Sequence, residues 1–161
     1  MQKVKLDAID RRILRDLQDD GRMTNVDLSK RAGISAPPCL RRVRALEAAG
    51  YIKGYHAELD GGQLGFKEMF FALVGLDSQS QTVLKGFESQ MAGWPDIREC
   101  HMIRGGGDFL LKVVARDKDH RDQLTMRLTS ADHVAQVTTF ETIRTSKTKP
   151  GVPMDAEEAA E

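Results

Sequence analysis

The sequence predicts an α+β protein in two parts, a winged helix-turn-helix at the N-terminus and a βαββαβ ferredoxin-like unit behind it. Three observations predict it. Two short capped helices meet at a glycine within TNVDLSKRAGISAPPCLRRVRALEAA, residues 24–49. Arginines crowd the second of these helices. Past Lys67 the texture changes to short β-rich runs alternating with two amphipathic helices, in the order β-α-β-β-α-β.

Taken in order, residues 7–20 read as the first helix. Asp7 offers an N-cap with Asp10 three residues on, Ile9, Ile13, Leu14 and Leu17 form an apolar stripe, and Gly21 ends it. Thr24 and Asp27 repeat the capping pattern for the second helix, and Gly33 can adopt the left-handed conformation that stops it. Ile34 is placed to fill the corner. Ser35 is expected to cap the third helix, with Pro37 and Pro38 in its first turn, where a missing N–H costs little. Projected around that helix, Leu40, Val43 and Leu46, with Cys39 among them, share one side. Pro38, Arg41 and Ala45, flanked by Arg42, share the other. Gly50 to Tyr55 is expected to supply the β element of the wing, and Asp60-Gly61-Gly62 the turn and hinge after it.

The second part opens with EMFFALVGL (68–76), a strand apolar on both faces. A two-layer unit needs only one buried face, so the second predicts packing against another sheet, most simply its copy in a symmetric partner. Residues 80–92 read as a helix with Val83, Leu84, Phe87 and Met91 inward. Residues 97–103 and 109–115 read as a strand pair across Arg104-Gly105-Gly106-Gly107-Asp108. Residues 118–129 form a second helix around Leu124 and Leu128. The β-branched run 134–143 is the last strand. The expected organisation is therefore a DNA-binding domain at 1–60, a βαββαβ oligomerisation domain at 61–147, and a flexible acidic tail at 148–161.

Charge supports a division of labour. The whole chain balances 24 Lys+Arg against 24 Asp+Glu, but residues 1–60 carry a net +3 and the remainder −3. A basic head on an acidic body fits contact with nucleic acid at one end. From Lys30 to Lys53, six cations face the single acid Glu47, the imbalance that phosphate neutralisation and counterion release require. Ser35, Pro37, Pro38, Arg41 and Arg42 are placed at the groove end of the reading helix. Arg41 and Arg42 are expected to reach bases or phosphates, and Arg44 and Lys53 phosphates. No apolar run approaches the roughly 20 residues of a membrane span, and MQKVKLDAIDRR lacks the apolar core of a signal peptide. A cytoplasmic protein is expected. Cys39 and Cys100, far apart and outside any CxxC, read as buried, reduced side chains, and the four histidines lack ligand spacing. No metal, cofactor or catalytic constellation is expected, hence no enzyme. The alternative kept open is a DNA-architectural or ligand-sensing assembly of low sequence specificity.

Four blocks of the chain also resemble the leucine-responsive regulatory protein/AsnC (Lrp/AsnC) family of feast/famine regulators: LDAIDRRILRDLQDDGR (6–22), DLSKRAGIS (27–35), CLRRVRALEAAGYIKGYHAELD (39–60) and GGGDFLLKV (105–113). The resemblance implies a winged helix-turn-helix followed by an ACT-like ligand-sensing domain. It implies a transcriptional regulator that binds double-stranded DNA as a homodimer, in many members an octamer of four dimers, and responds to an amino-acid effector. It implies an effector pocket at Gly105, Gly106 and Asp108, with Met102 before them and Phe140 on the last strand. The chain departs from the family at Arg104, Gly107 and 130–134, residues on loops that border that pocket.

Overall fold

A computed structural model describes residues 5–154 of the chain. The acidic stretch expected to be flexible beyond 154 lies outside the described residues. The chain divides into two compact units, one formed by residues up to 58 together with those from 147, the other by residues 59–146.

The first unit is helical: α1 (Ala8–Asp19), α2 (Asn25–Ala32) and α3 (Ala36–Ala48). At the head of α1 the capping box closes in both directions. The Asp10 N–H donates to Asp7 Oδ1 at 2.8 Å, and the Asp7 N–H to Asp10 Oδ2 at 3.3 Å. Thr24 Oγ1 accepts the Asp27 N–H at 3.2 Å and donates to Asp27 Oδ2 at 2.6 Å. Gly33 stops α2 with φ 72°; no atom crowds the position, so the backbone turn alone demands glycine there. Ile13, Leu28, Ala32, Cys39 and Leu46 form the core, with Ile34 and Val43 packed against it. Leu40 departs from expectation, being 39% exposed. The true stripe of α3 is Cys39, Val43, Leu46 at i, i+4, i+7, and Leu40 lies one residue off it.

The wing is the other departure. Residues 50–55 contain no strand. The N–H groups of Tyr51 and Ile52 turn back to the Leu46 carbonyl at 3.0 and 3.5 Å. A strand needs a partner ladder, and every regular element among the described residues of this unit is a helix. Part of the stretch expected as a loose tail is instead held on α1. Gln18 Nε2 donates to the Val152 carbonyl at 2.8 Å, and the Val152 N–H donates to Gln18 Oε1 at 3.0 Å.

The second unit runs β1 (Glu68–Leu76), α4 (Gln81–Ala92), β2 (Ile97–Met102), β3 (Phe109–Ala115), α5 (Lys118–Thr129) and β4 (Val134–Glu141). The sheet order is β2-β3-β1-β4, antiparallel throughout, the split βαβ arrangement. Pairing sets the faces. Phe70 opposite Val113, Ala72 opposite Leu111 and Val74 opposite Phe109 turn to one side, where they meet Phe87, Met91, Leu124 and Leu128 of the helices. Phe87 and Phe109 stack with centroids 4.8 Å apart. Arg121 ties the strand ends together through Glu68 at 3.3 Å and Glu141 at 3.2 Å. The other side of β1 carries Met69, Phe71 and Leu73, facing Val114, Lys112 and Leu110 of β3, all only half-buried. Cys100 proves exposed rather than buried. It sits on the edge strand β2, beside an open cleft of about 360 Å³ between α4 and that strand.

Candidate nucleic-acid interface and effector turn

The helix-turn-helix presents α3 with two contrasting flanks. Pro37, Leu40, Arg41, Arg44, Ala45 and Ala48 are exposed along one of them. Neither Arg41 nor Arg44 has a hydrogen-bond or ion-pair partner among the described residues. Small Ala45 and Ala48 leave room between those arginines for a groove wall. Lys53 is also exposed, five residues beyond the end of α3.

Arg42, expected beside Arg41, faces the other way. Its Nη1 lies 2.8 Å from Asp7 Oδ2 and 2.7 Å from Asp10 Oδ1. Asp10 is only 7% exposed, so the pair is partly desolvated and charge-assisted. The Asp7 carboxyl is held below its ordinary value of 3.8, chiefly by the Asp10 N–H and, against burial, by Arg42. Arg42 thus clamps α3 to the capped end of α1, and its guanidinium is already occupied.

Ser35 also corrects expectation. It occupies the N-cap position of α3 but makes no capping hydrogen bond. An N-cap side chain accepts from the second or third helical N–H, and those residues are Pro37 and Pro38, which have none. The exposed Ser35 hydroxyl is left for another partner, and the helix end itself offers few backbone donors. The polar groups this end presents to a ligand are therefore chiefly side chains. Leu40 belongs to this flank although its apolar character counted it with the core; the i, i+4, i+7 spacing from Cys39 was the available signal.

In the second unit the turn after β2 is built on glycine. Gly105 takes φ 143°. At Gly107 a Cβ would lie 2.9 Å from a Leu73 methyl and 3.0 Å from the Val74 carbonyl oxygen, so a larger residue would force Leu73 and the turn to shift. The turn closes over β1: the Asp108 N–H donates to the Val74 carbonyl at 2.8 Å, and Asp108 Oδ2 accepts the Leu76 N–H at 2.7 Å. Asp108 therefore has a backbone-fixing role, with Gln79 on its other oxygen at 3.4 Å. The N–H groups of Arg104, Gly105, Gly106 and Gly107 have no partner among the described residues. Met102 and Phe140 are exposed, but they stand on opposite edge strands and on opposite faces of the sheet. One chain does not bring them together.

Among the described residues no group of three or more His, Cys, Asp and Glu could hold a metal ion, and no helix is long and apolar enough to cross a membrane.

Two family profiles match the chain. One, described as winged helix-turn-helix DNA-binding, covers residues 6–53. The other, described as Lrp/AsnC ligand binding domain, covers residues 69–152. The chain is 51% identical over 146 residues to the leucine-responsive regulatory protein of Rhizobium meliloti, spanning 90% of this chain and 94% of that one. It is 44% identical over 112 residues to the Escherichia coli K12 protein of the same name, across 70% of this chain and 68% of that one. A transcriptional regulator from Neisseria meningitidis, solved as an L-Met complex, superposes with a TM-score of 0.89 at 29% identity, covering 94% of this chain and 98% of that one.

Proposed function

The chain belongs to the Lrp/AsnC family of transcriptional regulators, and from that premise we propose which of its residues meet DNA, effector and partner. It is a DNA-binding transcriptional regulator that couples a helix-turn-helix to an amino-acid-binding domain. The observation that carries the DNA assignment is the exposed, unpartnered pair Arg41 and Arg44 on α3. Arg41, nearer the helix start, reads base edges in the major groove, and Arg44 and Lys53 hold phosphates. The Ser35 hydroxyl donates to a phosphate. Pro37 and Pro38 shape the leading end of α3, and Arg42 positions the helix rather than touching a base.

At the effector turn, Gly105 and Gly106 offer N–H groups to the carboxylate of an amino acid, with Asp108 fixing the turn that aims them. Met102 and Phe140 join the pocket only where two copies meet. The half-buried apolar sheet face of Met69, Phe71 and Leu73 supports a homodimer formed sheet to sheet, with Glu99–Lys112 pairs at 2.9 Å on the same face. A ring of four dimers is the assembly in which effector seams would repeat. Such a regulator works in the cytoplasm, with the chromosome.

The test is to select duplexes from a random library and then compete each selected site against random DNA. A preference of about 10³-fold or more is expected; equal affinity would favour an architectural role. Screening the twenty amino acids for an upward shift in Tm identifies the effector by mass action, and no shift with any of them removes that assignment.

A further inference from the structure

The C-terminal strap gives the DNA-binding unit a second feature of interest. Residues 150–154 do not trail away from it. They wall a cavity of about 540 Å³ whose other lining includes Leu6, Leu14, Leu17, Tyr55, Arg11 and Lys53. Val152 is held on α1 by both arms of the Gln18 amide, at 2.8 and 3.0 Å. This side-chain amide imitates one rung of a β ladder, which fixes backbone direction as well as position. The last described residue of the strap, Met154, shares the cavity with Lys53, a proposed phosphate contact. Beyond Met154 the chain continues as DAEEAAE, four carboxylates in seven residues and no cation.

We propose that residues 150–161 are an intrachain ligand of the DNA-binding unit: the strap docks on α1, and Asp155, Glu157, Glu158 and Glu161 compete with DNA phosphates for Lys53 and Arg11. The inference rests on the regulator reading. Three observations on different residues converge on it. The strap has a specific seat, its last described residue lines the same cavity as Arg11 and Lys53, and the charged residues that follow it in sequence are all acidic. Carboxylates held near a phosphate-binding lysine replace part of the counterion atmosphere that DNA would otherwise displace. They lower affinity most at low salt, because exposed charge pairs are screened as ionic strength rises. The occupant is this chain's own segment, since residues 150–154 already form one wall of the cavity and the acidic run follows them directly in sequence.

The test uses the full chain carrying D155N, E157Q, E158Q and E161Q together, which touches no described contact. A second variant, Gln18→Ala, unseats the strap and leaves its charge intact. DNA affinity of the parent and both variants is followed by fluorescence anisotropy from low to high salt. The neutralised tail is expected to tighten binding about two- to tenfold at low salt and to steepen the salt dependence, with the curves converging at high salt. Gln18→Ala is expected to tighten binding in the same direction by a smaller factor. If the parent binds DNA but the neutralised variant matches it at every salt, the inference fails and the regulator reading stands. If the parent binds no duplex at all, both fall.

Discussion

The two units of this chain are stabilised in different ways. The sheet unit buries thirteen apolar residues in one continuous cluster, including Phe70, Phe87 and Phe109. The helical unit buries five among its described residues, one of them an alanine and one a cysteine. It supplements that small core with directed polar contacts: a two-way capping box at Asp7 and Asp10, a Thr24 cap, and the Arg42 clamp. A unit that must leave one helix face bare for DNA cannot bury that face. It fixes the helix by charge-assisted hydrogen bonds on the other flank. The sheet unit has no such constraint on its helix side, and leaves a half-buried apolar surface on the opposite face, where the proposed dimer partner would pack.

Perturbations rank the two strategies. The largest effect is expected from Phe109→Ala in the sheet core, about 3–5 kcal/mol by denaturant unfolding; a loss no larger than that of a cap would break the contrast. Arg42→Ala is expected to cost the helical unit about 1–2 kcal/mol. Removing one partner of a buried pair costs more than this, but Arg42 is about a third exposed and water screens it. Thr24→Ala should cost about 1 kcal/mol, as caps do, and should not alter the sheet unit's transition.

Titration sharpens the comparison with the smallest effects. Asp7 is held below 3.8 in the folded unit, so its contribution is present above that value and is lost as pH falls through the lowered folded value. Tyr55 is pushed up to about 12 by burial and by its hydrogen bond to Glu47. Its contribution is complete below pH 10 and is lost as pH rises toward 12. Both transitions should register in helical circular dichroism, and acid loss that spares the helices would contradict the assignment to Asp7.

Local pattern carried most of the fold. The strands at 68–76 and 109–115 and the helix at 118–129 stand where their apolar runs and flanking turn residues placed them; the clearest one-face period is on α1, where Ile9, Ile13 and Leu17 recur every fourth residue. What failed was either tertiary or a rule left unapplied. Asp7 and Arg42 are 35 residues apart, and nothing in local spacing announces that they meet. The extended run after Gly50 has a strand's composition, yet a strand exists only with a neighbour to bond. Ser35 was legible: two prolines behind an N-cap serine remove the donors that serine would cap. Gly107 was half-legible, since a glycine run signals a turn but does not say which position lies against Leu73.

Central to the role proposed for α3 is a division between an exposed arginine, Arg41, that would read DNA and a paired one, Arg42, that holds the helix. Arg41→Ala and Arg42→Ala, measured side by side for duplex affinity and thermal midpoint, test this most directly. Arg41→Ala should weaken binding to a selected site by about 1–3 kcal/mol with Tm unchanged, while Arg42→Ala should lower the Tm of the helical unit. An Arg42→Ala protein of unaltered Tm that has lost discrimination between selected and random DNA would contradict it.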